Sequence, residues 1–238
     1  MIRAVLFDVD DTLVDTRGAF RHAFATVGDR YLSADVTPDE LTLTWRADEG
    51  GHYRSHTRGE MSHREQRKLR ANEIHAIYGG PELDDDAYDV WNEGFEAAFR
   101  AGWRAHDDAA ACLDALAAAG IPYGALSNAG VVYQQQKLAA SGLERMPMLV
   151  GVDTLGFGKP DPRVFALACE RIGFAPANVA YVGDEYDIDA VAAAAAGLRG
   201  IWLDRSGELD SPPSQSVGQK QSGVETIVTL ASLIELIR

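Results

Sequence analysis

Four aspartates lie within nine positions in the stretch FDVDDTLVD, residues 7–15, directly after the apolar run AVLF. Carboxylates at this density can bind a metal cation, attack as nucleophiles, or donate and accept protons. Taken alone, the stretch is also typical of an acidic turn or of a fragment of a calcium loop. The other polar clusters of the chain are needed to distinguish these possibilities.

Further polar clusters follow apolar runs later in the chain. They are Ser127 and Asn128 after YGAL, Lys159 shortly after MLVGVD, and Asp184 after VAYVG. Ligands of open parallel sheets bind in the crevice beyond the carboxyl ends of the strands. If the apolar runs are parallel strands, these clusters share one location with the aspartates of the first stretch and form a single site.

The elements that would position this site alternate along the chain. Short apolar runs typical of strands occupy residues 4–7, 121–126, 148–152, 179–182, 200–203 and 226–230. Helical patterns such as DAAACLDALAAAG and VFALACERIG lie between them. Strands that alternate with helices indicate βαβ units and a parallel sheet covered by helices on both faces. The predicted fold class is α/β, a doubly wound parallel sheet.

Residues 17–100 interrupt this alternation. They contain amphipathic helical patterns and no convincing strand, and SHRE at 62–65 fits a capping box in which Ser62 is the N-cap and Glu65 reaches back to it. We therefore expect a helical domain at 17–100, inserted over the ends of the strands, and a core built from 1–16 and 101–238. The Ser-, Gly-, Pro- and Gln-rich stretch 205–223 is predicted to be a loop.

The charge balance restricts the partners of the protein. The formal net charge is −14, from 36 acidic and 22 basic side chains, which argues against nucleic acid and anionic membrane surfaces and makes a metal cation a more natural partner. The amino terminus runs into a strand without a long apolar segment, and no stretch approaches a membrane span, so a cytoplasmic location is expected. Oligomeric state has no signature in the sequence.

In combination, these motifs resemble the haloacid dehalogenase-like (HAD) superfamily, whose pattern is DxDxT, then Ser or Thr at a strand end, then Lys, then GDxxxxD. The matching residues are Asp8, Asp10 and Thr12; Ser127; Lys159; and Gly183, Asp184 and Asp189. The resemblance covers nearly the whole chain, since the helical insert looks like the C1-type cap of the family. It implies a Rossmann-like core. Asp11 stands where many phosphatases of the family have Gly and is interpreted as a turn residue.

The resemblance implies a Mg²⁺-dependent phosphatase that acts on a small phosphorylated metabolite through an aspartyl-phosphate. Asp8 would be the nucleophile, and Asp10 would protonate the leaving alcohol and later activate water. Mg²⁺ would be held by Asp8, Asp184 and the main-chain carbonyl of Asp10. The implied phosphate-binding residues are Thr12, which supports the first loop, Ser127, the amide of Asn128, and Lys159. Asp189 would orient Lys159 or the metal site.

Residues 45–70 concentrate Arg and His in an otherwise acidic chain. One interpretation is a substrate loop in which Trp45, Arg46, His52, Tyr53 or Arg54 contacts the leaving group of the ester. The other is a solvated basic helix, favoured for the helical portion, with an exposed side formed by Arg64, Arg67, Lys68 and Arg70. The glycines that flank His52 argue against a helix at that position.

Several alternative activities use related residues. A phosphomutase shares the whole core motif set and stays open. A 2-haloacid dehalogenase would use Asp8 on carbon without a metal, but such enzymes characteristically lack the second aspartate of DxD. A phosphonatase would need a lysine early in the cap, and none precedes Lys68. A non-catalytic phosphate-binding member would usually carry a broken motif, and none is broken here.

Overall fold

The computed structural model describes residues 1–33, 35–206 and 223–237. The chain divides into two compact units, Met1–Val14 with Ala105–Arg238, called the sheet unit below, and Asp15–Arg104, the helical unit. The helical unit thus begins and ends a few residues outside the predicted 17–100. Most of the loop predicted at 205–223 lies outside the described residues. Within the described ranges, no helix combines the length and apolar character that crossing a membrane requires.

The described part of the sheet unit contains six parallel strands in the order β3-β2-β1-β4-β5-β6. The strands are β1 (Ala4–Phe7), β2 (Tyr123–Leu126), β3 (Leu149–Val150), β4 (Val179–Gly183), β5 (Arg199–Leu203) and β6 (Val224–Ile227). The predicted strand at 226–230 is displaced, because Thr229 caps a 3₁₀ turn at Leu230–Ser232 and so ends the extended run. The carboxyl ends of all six strands lie on the same edge, as the predicted site requires.

Helices cover both faces of this sheet. They are α6 (Ala109–Ala118), α7 (Val131–Ala140), α8 (Pro162–Ile172), α9 (Ala192–Ala195) and α10 (Leu233–Ile237). Successive residues of a strand point to opposite faces: Val5 and Phe7 pack in one core cluster with residues of α6, α7 and α10, whereas Ala4 and Leu6 pack in the other with α8 and α9. The doubly wound α/β prediction is confirmed.

Among its described residues, the helical unit contains five helices around an aromatic core. They are α1 (Thr16–Tyr31), α2 (Pro38–Ala47), α3 (His52–Thr57), α4 (His63–Tyr78) and α5 (Asp85–Ala101). The rings of Phe24, Trp45 and Phe95 lie 5.2–5.7 Å apart, centroid to centroid. Helix α4 begins with the predicted capping box, in which Ser62 and Glu65 each accept from the other's backbone N–H.

Helix α3 contradicts the expectation that the glycines would prevent helix formation near His52. Gly51 has φ +68° and turns the chain into the helix rather than ending it. The carboxylate of Asp48 accepts from the backbone N–H groups of Tyr53 and Arg54, at 3.0 and 3.2 Å. These donors belong to the unsatisfied first turn of a helix, so Asp48 stabilises the start of α3.

Two basic residues of α4 are buried, which contradicts the prediction of a fully solvated face. Arg67 and Arg70 are each 7% exposed. Arg67 forms an ion pair with Glu96 at 2.6 Å, and the guanidinium of Arg70 lies 3.9 Å from the ring centroid of Trp45. A buried arginine needs partners of this kind to offset the loss of hydration.

The two ends of the helical unit are tied to each other. The backbone N–H of Asp15 donates to the carbonyl of Arg104 at 2.9 Å. Their side chains form an ion pair at 2.7 Å, and the Asp15 carboxylate also caps α1 through the N–H of Gly18. The chain therefore enters and leaves this unit at one place.

Candidate active site

The loop after β1 carries Asp8, Asp10 and Asp11 of the acidic stretch FDVDDTLVD. Asp11 has φ +57° and is buried, a left-handed conformation that Asp tolerates better than most residues. Arg205 donates to the carbonyl oxygens of Asp11 and Thr12, at 3.3 and 2.7 Å, and to the carboxylate of Asp108. Arg205, which follows β5, thus holds the backbone of this loop in place.

Lys159 lies at the centre of the site with all its donors used. Its ammonium donates to Asp8 at 2.7 Å, to Asp189 at 2.7 Å and to the hydroxyl of Tyr181 at 2.8 Å. An ammonium has three N–H donors, so this buried group is fully satisfied. Burial alone would lower the pKa of Lys159, but the carboxylates of Asp189 and Asp8 raise it well above its ordinary value, and the side chain is a cation at neutral pH.

The side chain of Asn128 fixes the backbone that carries Lys159. Its Oδ1 accepts from the Lys159 backbone N–H at 2.6 Å, and its Nδ2 donates to the Lys159 carbonyl at 3.0 Å. A side chain at position 158 would collide with this amide, which explains the glycine there. The predicted role of Asn128 was phosphate binding by its main-chain amide, and this use of its side chain was missed.

Three carboxylates meet beside Lys159. Oxygens of Asp8, Asp184 and Asp189 all lie within 4.8 Å of one another. Burial raises the pKa of Asp8 to about 8, despite the opposing effect of Lys159, and repulsion from Asp189 and Asp10 adds to this rise. Burial, then Asp11 and Asp189, also raise the pKa of Asp184 well above its ordinary value. When ionised, the three carboxylates exceed the charge of Lys159 by two.

This donor set fits a divalent cation. Hard cations such as Mg²⁺ prefer carboxylate and carbonyl oxygens, and an ion of charge +2 would offset the excess negative charge of the cluster. Asp8 and Asp184 are the carboxylates available for it, because Asp189 already accepts from Lys159 and, through its other oxygen, from the Glu185 backbone N–H at 3.0 Å. Asp187, in the helical turn Tyr186–Val191 that follows Asp184, is exposed.

Two residues of α7 join the site without having been predicted. Gln134 Nε2 donates to the Ser127 hydroxyl at 2.7 Å and to Asp10 Oδ2 at 2.5 Å. Lys137 forms an ion pair with the other oxygen of Asp10. The sequence held a weak signal: only four of the 22 basic residues are lysines, and Gln134 and Lys137 are three residues apart, which places them on one helix face.

The other residues predicted to bind phosphate, Ser127 and Thr12, lie deep in the sheet unit. Ser127 is 1% exposed, and its hydroxyl accepts from Gln134 and from the Ala129 backbone N–H at 3.2 Å. Thr12 is fully buried, and its hydroxyl has no hydrogen-bond partner among the described residues. Gln134 therefore links Ser127 to Asp10 by hydrogen bonds, whereas Thr12 is enclosed beneath the loop after β1.

The predicted substrate residues all belong to the helical unit. Trp45 is buried in the aromatic core, and Arg46 is partly buried in the last turn of α2. His52 contacts Glu73 at 3.0 Å. The side chain of Arg54 is 61% exposed and lies 3.5 Å from the Asp48 carboxylate. Of the four, Arg54 is the most open to solvent.

Known proteins resemble this chain along its whole length. (S)-2-haloacid dehalogenase 1 from Pseudomonas sp. (strain CBS-3) is 26% identical, covering 98% of this chain and 96% of that protein. Glyceraldehyde 3-phosphate phosphatase from Methanopyrus kandleri is 29% identical, covering 90% and 88%. The structure of L-2-haloacid dehalogenase from Xanthobacter autotrophicus matches with a TM-score of 0.78 at 21% identity, covering 100% and 99%. The family model for haloacid dehalogenase-like hydrolases matches residues 2–197. The chain therefore belongs to the haloacid dehalogenase-like hydrolases.

Proposed function

We propose that this hydrolase is a Mg²⁺-dependent phosphatase that hydrolyses a small phosphorylated metabolite through an aspartyl-phosphate on Asp8. The observation that carries the proposal is that Asp8, Asp184 and Asp189 meet around a single lysine, whose charge they exceed by two when all three are ionised. Such a cluster calls for a divalent cation. Bound by Asp8, Asp184 and the Asp10 carbonyl, Mg²⁺ would neutralise phosphoryl oxygens and shield the nucleophile from their charge.

The side chains divide the reaction between them. A carboxylate oxygen of Asp8 attacks phosphorus while the bond to the ester oxygen breaks, and Asp10 gives its proton to that oxygen. Water then attacks the aspartyl-phosphate and gives a proton to Asp10, which releases phosphate and restores both residues. Lys159 contacts Asp8 at 2.7 Å and would offset charge on the phosphoryl oxygens during both steps.

Ser127 is prepared to donate to a phosphoryl oxygen. A hydroxyl has one donor and two acceptor positions, and Ser127 already accepts from Gln134 and from the Ala129 backbone N–H. Its O–H is therefore left to donate. The backbone N–H of Asn128 would be the second donor, as the family resemblance implies.

A 2-haloacid dehalogenase is the alternative that the names of several relatives favour, including the Pseudomonas protein. Halide leaves without a proton, so Asp10 would have no leaving group to protonate in that reaction. This difference favours phosphate ester hydrolysis.

In this proposal, residues of the helical unit select the phosphate ester. The predicted contacts of Trp45, Arg46, His52 and Arg54 stay predictions. Arg54, whose side chain is 61% exposed, offers the simplest test, because Arg54→Ala would raise KM for the preferred ester and leave kcat nearly unchanged. A phosphomutase would use the same Asp8 chemistry with a sugar hydroxyl in place of water.

The test is phosphate release from a panel of phosphate esters with and without Mg²⁺, alongside halide release from 2-haloacids. Wild type is compared with Asp8→Asn and with Asp187→Asn, a matched control at an exposed aspartate. We expect Mg²⁺-dependent release in wild type and control, and its loss in Asp8→Asn with the fold intact. Halide release without phosphate release would refute the phosphatase proposal. Transfer of the phosphoryl group to a sugar instead of water would identify a phosphomutase.

A further inference from the structure

We propose that Gln134 and Lys137 of α7 are positioning residues for Asp10, which hold its carboxylate in place for proton transfer to the leaving oxygen. The inference rests on the proposed phosphatase function, since only a poor leaving group needs that proton. It adds two residues to the site, both from a helix that the family motifs leave out.

The geometry assigns one donor to each oxygen of Asp10. Lys137 forms its ion pair with Oδ1, and Gln134 Nε2 donates to Oδ2 at 2.5 Å. Each carboxylate oxygen has two lone-pair positions, so one position on each oxygen remains for a substrate atom or for water. With a donor on both oxygens, rotation of the carboxylate about its terminal bond is restricted.

The burial of these donors is unusual for their residue types. Lys137 is 2% exposed and Gln134 is fully buried, whereas the side chain of Asp10 keeps 36% of its exposure. A buried ammonium is costly unless it is paired. Lys137 therefore has its charge partner at the surface of the site, while the lysine itself lies beneath, with its ammonium 5.3 Å from the ring centroid of Tyr133.

Gln134 also links Asp10 to the phosphate side of the site. The same Nε2 that donates to Asp10 donates to the Ser127 hydroxyl at 2.7 Å. The group that would transfer the proton and the group that would bind a phosphoryl oxygen are thus held at a fixed separation by one amide. Pre-set separations of this kind account for a large part of catalytic rate in enzymes.

The experiment compares two esters that differ in their need for a proton. p-Nitrophenyl phosphate has a good leaving group, whereas glycerol phosphate has a poor one. Lys137→Met and Gln134→Leu are compared with wild type and with Gln135→Leu, a control at an exposed position of the same helix. The measured quantity is the rate of alcohol release in a single turnover with Mg²⁺ present.

We expect Lys137→Met to slow glycerol release by about 10- to 100-fold, up to the lower end of a general acid's contribution because Asp10 itself is retained, and nitrophenol release less than about threefold. In an Asp10→Asn background Lys137→Met should have almost no further effect, because both changes remove the same proton transfer. Gln135→Leu should match wild type with both esters.

Equal slowing of both esters would overturn the inference and leave Lys137 a structural residue, with the phosphatase proposal intact. Absence of wild-type turnover on every ester of the panel would overturn the proposed function and this inference together. If Lys137→Met does not fold, Lys137→Arg and Gln134→Leu provide the same comparison. Unchanged preference between the two esters in both variants would then refute the positioning role.

Discussion

In the metal-free protein, the free energy of unfolding should fall as the pH rises from 6.5 to 8. The cause is Asp8, whose pKa is raised to about 8, first by burial and against the opposing effect of Lys159. In this window the native protein keeps a proton on Asp8, while the unfolded chain has already lost it. The unfolded state binds fewer protons, so a rising pH favours unfolding.

The contribution of Asp8 follows from the linkage of its one proton, which corresponds to a slope of about 1.4 kcal/mol per pH unit, or about 2 kcal/mol between pH 6.5 and 8. Asp184, whose pKa is also raised, adds to the slope in the same direction. The window begins at pH 6.5 because His63 acts in the opposite direction at lower pH. Burial lowers the pKa of His63 from 6.5 to about 4. Its unfolded form therefore binds the extra proton between those values, and stability there rises with pH.

The assay is urea unfolding in EDTA at pH 6.5 and pH 8, for wild type and Asp8→Asn. The asparagine has no proton to lose, so its slope should be smaller than that of wild type by about 1.4 kcal/mol per pH unit. Adding Mg²⁺ to wild type should remove the same part of the slope, because the cation keeps Asp8 ionised. Equal slopes in the two proteins without metal would refute the reasoning, and Asp187→Asn serves as the control.

Two further predictions concern the groups that hold the site together. Tyr181→Phe removes one of the three acceptors of the Lys159 ammonium, so we expect a loss of about 1–3 kcal/mol in urea unfolding; an unchanged free energy would mean that Lys159 does not depend on this hydroxyl. Arg205→Met removes the donor to the Asp11 and Thr12 carbonyls, and we expect a lower Tm together with a reduced kcat. A lower Tm with wild-type kcat would show that the loop does not need this support.

Much of the candidate site follows from local sequence patterns. Parallel strands place their carboxyl ends on one edge, so the residues after AVLF, YGAL and VAYVG had to converge once the alternation of strands and helices was identified. Asp8 and Lys159 are separated by 151 positions, yet their ammonium and carboxylate are 2.7 Å apart. The rule that ligands bind beyond the carboxyl ends of parallel strands predicts one shared site for these residues, whereas the contact between the two side chains is a finding of the structure.

The residues that were missed depend on distant partners. Lys137, Arg67 and Arg70 lie on helices, where exposure is the ordinary expectation for a charged side chain. Each is buried because an acceptor from another element meets it. The acceptors are Asp10 for Lys137, Glu96 for Arg67 and the Trp45 carbonyl for Arg70. Helical periodicity shows which residues share a face but not whether that face meets a carboxylate, so sequence alone could not place them.

Helix α3 was also not predicted from the sequence, in this case because of a local ambiguity. Glycine has two opposite uses, since it ends a helix or turns the chain into one. Gly51 turns the chain into α3. The Asp48 carboxylate that caps this helix lies before the glycines, at a position where no cap was predicted. The capping box at Ser62 and Glu65 was found because its spacing is fixed.

The contacts between Asp15 and Arg104 bear on how this protein can be re-engineered. Because the Asp15 backbone N–H donates to the Arg104 carbonyl at 2.9 Å, the first and last residues of the helical unit are already adjacent when the helical unit is folded. The chain from β1 to α6 therefore behaves, for closure entropy, as a short connection rather than a long loop. Val14 and Ala105 also pair directly. A different insert with equally close ends could be grafted between these positions, which makes the helical unit an exchangeable module.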